Sequence, residues 1–136
     1  MAYLLDTTTI SFVLNGNRAV DDAMKRTTRT DLVYTSVITE GELLAGALRL
    51  GRELRLELEA KIDLLLANLT GVLPITREVA ARYAELRRDL EAQGQAMSAN
   101  DLWIAAVALL GDFTLVTEDA DFNRVAGLAI EHWLGP

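Results

Sequence analysis

Four acids, Asp6, Glu42, Asp101 and Asp119, stand where the apolar pattern places a strand end or the first turns of a helix. Side chains from such positions can be aimed at one place, and converging carboxylates hold hard divalent cations such as Mg²⁺ or Mn²⁺, which prefer oxygen ligands. Metal-dependent phosphodiester hydrolysis needs acids alone. The remaining inventory agrees, because the chain has no Cys and a single His, His132. A thiolate nucleophile, a disulfide framework, a Cys-based zinc site and a His-rich metal cluster are thereby excluded.

Each acid also has an ordinary structural role open to it. Ser98-Ala99-Asn100-Asp101 fits a capping box with Asp in place of the usual Glu, and Thr39-Glu40-Gly41-Glu42 has the same spacing. Asp6 can cap the helix that follows it, and Asp119, beside Glu118 and Asp121, can be a turn residue.

The elements that must position these acids alternate in type. Tyr3-Leu4-Leu5 reads as a buried strand leading into a helix from about Thr8 to Leu14. Asn15-Gly16-Asn17 is a turn, a helix covers Arg18 to Lys25, and Leu32-Val33-Tyr34-Thr35 is a strand. Val37 to Leu50 and Glu53 to Leu69 form a helical hairpin broken at Gly51. Val72-Leu73-Pro74-Ile75 is a short edge strand, and Thr76 caps a helix through Gln93. Ser98 opens a helix to Leu110, Phe113 to Thr117 is a strand, Asp119 to Val125 is a turn or short helix, and Leu128 to Glu131 closes the series. Strands separated by helices predict a three-layer α/β/α sandwich with a mainly parallel central sheet, which binds ligands beyond the carboxyl ends of its strands.

The chain has 136 residues, is 51% hydrophobic and 24% charged, and carries a net charge of -7. That describes one globular domain spanning residues 1–136. No stretch approaches the ~20 apolar residues that span a bilayer, and the N-terminus lacks a signal-peptide pattern, so no membrane partner and a cytoplasmic location are expected. The acidic balance disfavours a polyanionic partner in bulk, but all the cations except Lys25 and Lys61 are Arg. They cluster as Arg18, Lys25, Arg26 and Arg29 and as Arg49, Arg52 and Arg55, either as phosphate contacts or as solvated faces paired with acids such as Asp22, Glu53 and Glu59. Trp103 and Trp133 could stack on bases, although Trp103 lies inside the apolar run Leu102 to Leu110 and reads better as core.

Four segments together carry a resemblance. Leu4-Leu5-Asp6-Thr7-Thr8, Ser36 to Gly46, Ser98 to Ala106 and Leu115 to Phe122 resemble, in order and over essentially the whole chain, a PIN-domain ribonuclease of the VapC toxin type. The resemblance implies that Asp6, Glu42, Asp101 and Asp119 are the catalytic acids, with Asp6, Asp101 and Asp119 holding Mg²⁺ or Mn²⁺. Thr7 and Thr117 become hydroxyls that support the acids or position water. Glu42 is selected over Glu40 because Glu42-Leu43 precedes Gly46 with the family's spacing; Asp121 is the second choice to Asp119, and Asn100 has a structural role.

The same resemblance implies endonucleolytic cleavage of RNA, with a tRNA or rRNA loop as a possible target, leaving a 5′-phosphate and a 3′-hydroxyl. It also implies a homodimer and a cognate antitoxin. His132 lies outside these segments and is a surface or strand-end residue rather than a base. Two rivals remain at this point. One is a catalytically silent PIN-like interaction module. The other is a Mg²⁺-dependent phosphatase or phosphoacceptor domain, which fits less well because Thr8 stands where a second acid is needed and no Lys follows Lys61.

Overall fold

Alternation along the first strand decides the layering. Tyr3 and Leu5 enter one apolar core, with Ile10, Val20, Met24, Leu43, Ile62 and Leu65, whereas Leu4 enters another, with Val79, Leu86, Leu102, Ile104 and Phe122. In the computed structural model, which describes residues 1–135, the order is β1 (Ala2–Leu5), α1 (Thr7–Leu14), α2 (Arg18–Thr30), β2 (Leu32–Ser36), α3 (Val37–Leu48), α4 (Arg52–Asn68) and β3 (Gly71–Leu73). It continues with α5 (Arg77–Ala92), α6 (Ala99–Gly111), β4 (Thr114–Val116), a 3₁₀ turn (Ala120–Arg124) and β5 (Ile130–Glu131).

Among the described residues the sheet has five strands in the order β3-β2-β1-β4-β5, and every pairing is parallel. Successive parallel strands need crossovers: the helix pairs α1–α2, α3–α4 and α5–α6 link β1 to β2, β2 to β3 and β3 to β4, and the 3₁₀ turn with its loop links β4 to β5. The chain proceeds from β1 outward to β2 and β3, then returns to place β4 on the other side of β1. The point where that direction reverses, between β1 and β4, opens a crevice at the carboxyl ends of the strands. Leu4, Leu5 and Leu115 are fully buried there, each worth about 1.5–3 kcal/mol of burial, so the strands that carry the crevice are firmly anchored.

Several element ends differ from those the pattern predicts. The second helix runs on past Lys25 to Thr30, with Val20, Ala23 and Met24 buried and the Thr27 hydroxyl donating to the Ala23 carbonyl at 2.7 Å. Beyond it, Asp31 takes the Met1 amino group at 2.8 Å. The edge strand ends at Leu73 because Pro74 has no N–H for the ladder. β4 starts only at Thr114: Asp112 takes a left-handed φ of 55° at the end of α6 and turns Phe113 back over Gly111, where a Cβ would lie 2.2 Å from the ring. No helix among the described residues is long and apolar enough to cross a membrane.

Candidate active site

Asp6 follows β1 at the crevice and combines two roles. Its backbone N–H donates to the Val116 carbonyl at 3.2 Å, tying the ends of β1 and β4 together. One carboxylate oxygen accepts the Thr9 N–H at 2.8 Å and so caps α1, while the other accepts the Thr117 hydroxyl. The residue is 3% exposed. Burial pushes its carboxyl above the usual range against the pull of the Thr117 and Thr9 bonds, and the nearby Asp119 charge adds to the rise.

Glu42 projects from the second turn of α3. Ser36 caps that helix, its hydroxyl accepting the Thr39 N–H at 3.3 Å, so Thr39 is not a cap and Glu42 is not the far end of a capping box. Glu42 instead accepts the Thr7 hydroxyl at 2.5 Å. Thr39 Oγ1 lies 3.1 Å from Thr7 Oγ1, and because Thr7 has one proton, which the carboxylate claims, Thr39 is the donor in that second bond. A hydroxyl relay from α3 through the start of α1 therefore fixes Glu42.

Asp101 occupies the first turn of α6, where its N–H donates to the Ser98 hydroxyl at 3.2 Å. Its carboxyl is also pushed up, first by burial and then, against a lowering bond to Ser98, by the charges of Asp119, Glu42 and Asp6. Asp119, Glu42 and Asp6 are thus the charges that act on Asp101. The turn after β4 carries two acids close to Asp101. The Asp119 N–H donates to the Thr117 hydroxyl at 3.0 Å, and Asp119 accepts the Asp121 N–H at 2.9 Å. Asp101, Asp119 and Asp121 each place a carboxylate oxygen within 4.8 Å of the others. Both acids that compete for the fourth place thus reach Asp101.

Such a donor set is all hard oxygen, and the crowding of like charge is relieved when a divalent cation enters. The pocket fits such an ion on both counts. Thr7 and Thr117 each contact an acid directly, Thr7 to Glu42 and Thr117 to Asp6.

The remaining expectations fall on either side of this pocket. Asn100 is exposed in the first turn of α6. His132 follows β5 and puts Nδ1 2.6 Å from the Thr117 carbonyl, which can only accept, so the proton sits on that nitrogen and the side chain props the strand end. Trp133 is buried against Tyr3, ring centroids 6.0 Å apart, and is not available to stack on a base. Trp103 is half-buried and stacked on Tyr83 at 3.8 Å. Arg29 stands with Met1 and Leu32 at the amino-terminal edge of the sheet, opposite the acids, and Arg18 and Lys25 are flanked by Asp21 and Asp22. Arg49 and Arg52, in contrast, are exposed at the α3–α4 connection. That connection ends a groove of about 270 Å³ which runs from Thr7 and Glu42 past Leu14, Leu43 and Leu58 to Leu50. Sequence reasoning missed Thr9 as a partner of Asp6 and Thr39 as a partner of Thr7; Thr39 shows itself only once Ser36 is seen to take the cap.

A parallel sheet in this order with carboxylates converging at its switch point defines the class, and the family profile of the PIN domain matches residues 3–128. The chain belongs to the PIN-domain family. Among its relatives, Ribonuclease VapC5 of Mycobacterium tuberculosis is 33% identical over 129 residues, covering 94% of this chain and 90% of the relative. Ribonuclease VapC1 of Haemophilus influenzae (strain R2866) is 29% identical over 135 residues, covering 98% of each. Among solved structures, VapBC2 from Rickettsia felis bound to a DNA fragment from its promoter superposes with a TM-score of 0.91 at 27% identity, over 98% of this chain and 99% of that one. FitAcB from Neisseria gonorrhoeae superposes with a TM-score of 0.82 at 30% identity, over 94% and 95%.

Proposed function

We propose that this chain is a divalent-metal-dependent endoribonuclease toxin, cleaving RNA at the pocket formed by Asp6, Glu42, Asp101 and Asp119 and held in check by an antitoxin polypeptide. The observation that carries this reading is the convergence of Asp101, Asp119 and Asp121 to within 4.8 Å at the switch point, with the buried Asp6 beside them. Its support from outside the chain is the set of relatives named Ribonuclease VapC and the VapBC complexes that share the fold.

Asp101, Asp119 and Asp121, with Asp6, would hold Mg²⁺ or Mn²⁺. When bound, such an ion supplies Lewis-acid polarisation of a phosphoryl oxygen and activates water near neutral pH. The residues of the chain do the rest. Asp6 is kept in one rotamer by Thr9 and Thr117, so its oxygens are preorganised. Glu42, fixed by Thr7, faces the same space from the opposite helix and is placed to accept a proton from attacking water. The chain has no Cys, and attack by water needs no protein nucleophile.

Leu14, Leu43, Leu50, Leu58 and Ile62 make the groove beside the acids apolar, which suits an inhibitory polypeptide seated next to the pocket. Leu54, Leu56 and Leu64 are exposed along α4 and offer apolar surface for self-association. The purified protein, incubated with RNA and Mg²⁺ or Mn²⁺, is expected to leave 5′-phosphate and 3′-hydroxyl ends; 2′,3′-cyclic phosphate ends would instead indicate attack by the ribose hydroxyl and overturn the water-attack reading.

Because the protein is acidic overall, its attraction for RNA must be local, and Arg49 and Arg52 are the exposed cations at the end of the groove. Replacing both with Ala is expected to weaken RNA binding and to flatten the log–log salt slope by about 1.4, at ~0.7 per phosphate contact on a single strand. An unchanged slope would move the phosphate contacts elsewhere.

A further inference from the structure

One acid of the Thr117–Asp121 turn takes no part in the pocket. Glu118 lies between Thr117 and Asp119 in sequence, yet its carboxylate turns the other way. Oε2 accepts the backbone N–H groups of Trp133 at 3.1 Å and Leu134 at 3.3 Å, and the side chain is only 19% exposed. The segment it grips is itself anchored. The Trp133 ring is buried against Tyr3 and donates Nε1 to Glu131 at 3.0 Å. The same segment also holds the strand end, since the Thr117 N–H donates to the Glu131 carbonyl at 3.1 Å and His132 donates to the Thr117 carbonyl.

On its pocket side the turn is held by the Thr117 hydroxyl to Asp6 and by the Asp119 and Asp121 N–H groups to Thr117 and Asp119, with Arg124 3.3 Å from Asp121 and the fully buried Phe122 just beyond. Those contacts draw together carboxylates that repel one another, with Asp101 facing Asp119 and Asp121 across the gap. On its far side the turn has a further brace. Glu118 supplies it with two hydrogen bonds, both to Oε2, from backbone that cannot move without displacing Trp133.

We propose that Glu118 is a positioning residue for the acidic pocket: by clamping the Thr117–Asp121 turn to the Trp133–Leu134 backbone, it holds Asp119 and Asp121 toward Asp101. The inference rests on the metal-pocket reading above. Glu118 is not a ligand in this account, because Oε2 is taken by the Trp133 and Leu134 N–H groups and Oε1 faces His132 Nδ1 at 3.8 Å. What matters is the reach of the acceptor, not the charge.

Two conservative variants of the full chain separate reach from charge. Glu118→Gln keeps a carbonyl oxygen at the same distance without the charge, whereas Glu118→Asp keeps the charge and loses one methylene of reach. Mn²⁺ binding to the RNA-free protein, read by electron paramagnetic resonance, is the measurement, with melts in EDTA to establish that both variants fold. Glu118→Asp is expected to bind Mn²⁺ about tenfold more weakly, in the range seen when groups supporting a ligand are removed, and Glu118→Gln to stay near wild type. The reverse order would make Glu118 a ligand or a field charge and overturn the proposal; so would wild-type affinity in both variants. Absence of Mn²⁺ binding by the wild type would instead remove the metal pocket, and the inference with it.

Discussion

Asp6→Asn is expected to lower RNA cleavage by about 10²-fold or more, the scale on which a single preorganised charge-stabilising group acts, while the protein stays folded. The substitution is nearly isosteric, and the amide oxygen can still accept from either Thr9 or Thr117, so part of the capping of α1 survives. What it removes is the negative charge at the centre of the pocket. Because that carboxyl is buried and pushed up in the metal-free protein, its charge is unfavourable until a cation enters, and neutralising it should not destabilise the fold. Near-native cleavage by folded Asp6→Asn would contradict the assignment of Asp6. Loss of cleavage together with loss of the folded state would be settled by Asp119→Asn, which perturbs a half-buried turn rather than the strand end.

Asp101→Asn should separate the cap from the site by the sign of its effect on stability. The Ser98 cap uses the backbone N–H of residue 101 and survives the substitution. The lost carboxylate is held above its ordinary value, 3.8, by burial and by Asp119, Glu42 and Asp6. For a carboxyl whose folded value is raised, the stabilising contribution is fully present below the unfolded value and is lost as pH rises through the folded one. In EDTA at neutral pH the variant should therefore be as stable as wild type or more so, with the comparison shifting toward wild type as pH falls toward 3.8. Mg²⁺ or Mn²⁺ at a hundredfold excess over its dissociation constant should then stabilise wild type by about 2.7 kcal/mol and Asp101→Asn by much less. A variant less stable in EDTA yet equally stabilised by metal would reduce Asp101 to a helix terminus.

These effects depend on details that were unequally legible in the sequence. Strand and helix identities followed from periodicity, and the parallel sheet followed from their alternation, because Tyr3, Leu4 and Leu5 are buried on both faces as such strands must be. Element ends were less legible. The extension of α2 to Thr30 depends on Val20 and Met24 docking in the core, and the late start of β4 on Phe113 packing over Gly111, both tertiary events. The site shows the same division. Asp6, Glu42 and Asp101 stand in segments that singled them out as candidates, whereas the placement of the neighbouring acids depended on which way each turned. Asp121 faces Asp101 and Glu118 faces Trp133, although both flank Asp119 within two residues. Spacing in a 3₁₀ turn does not encode that choice. The arginines carried a similar ambiguity, since the sheet separates Arg29 from the acids while the α3–α4 hairpin leaves Arg49 exposed near the end of the groove.

Cleavage of RNA by metal-stripped protein, with Mg²⁺ or Mn²⁺ then titrated back, tests the central claim most directly. The acidic pocket predicts no cleavage in EDTA and recovery that follows metal occupancy, with Asp6→Asn inactive at every metal concentration. Undiminished cleavage in EDTA, or none at any metal concentration by folded wild-type protein freed of any antitoxin, would contradict it.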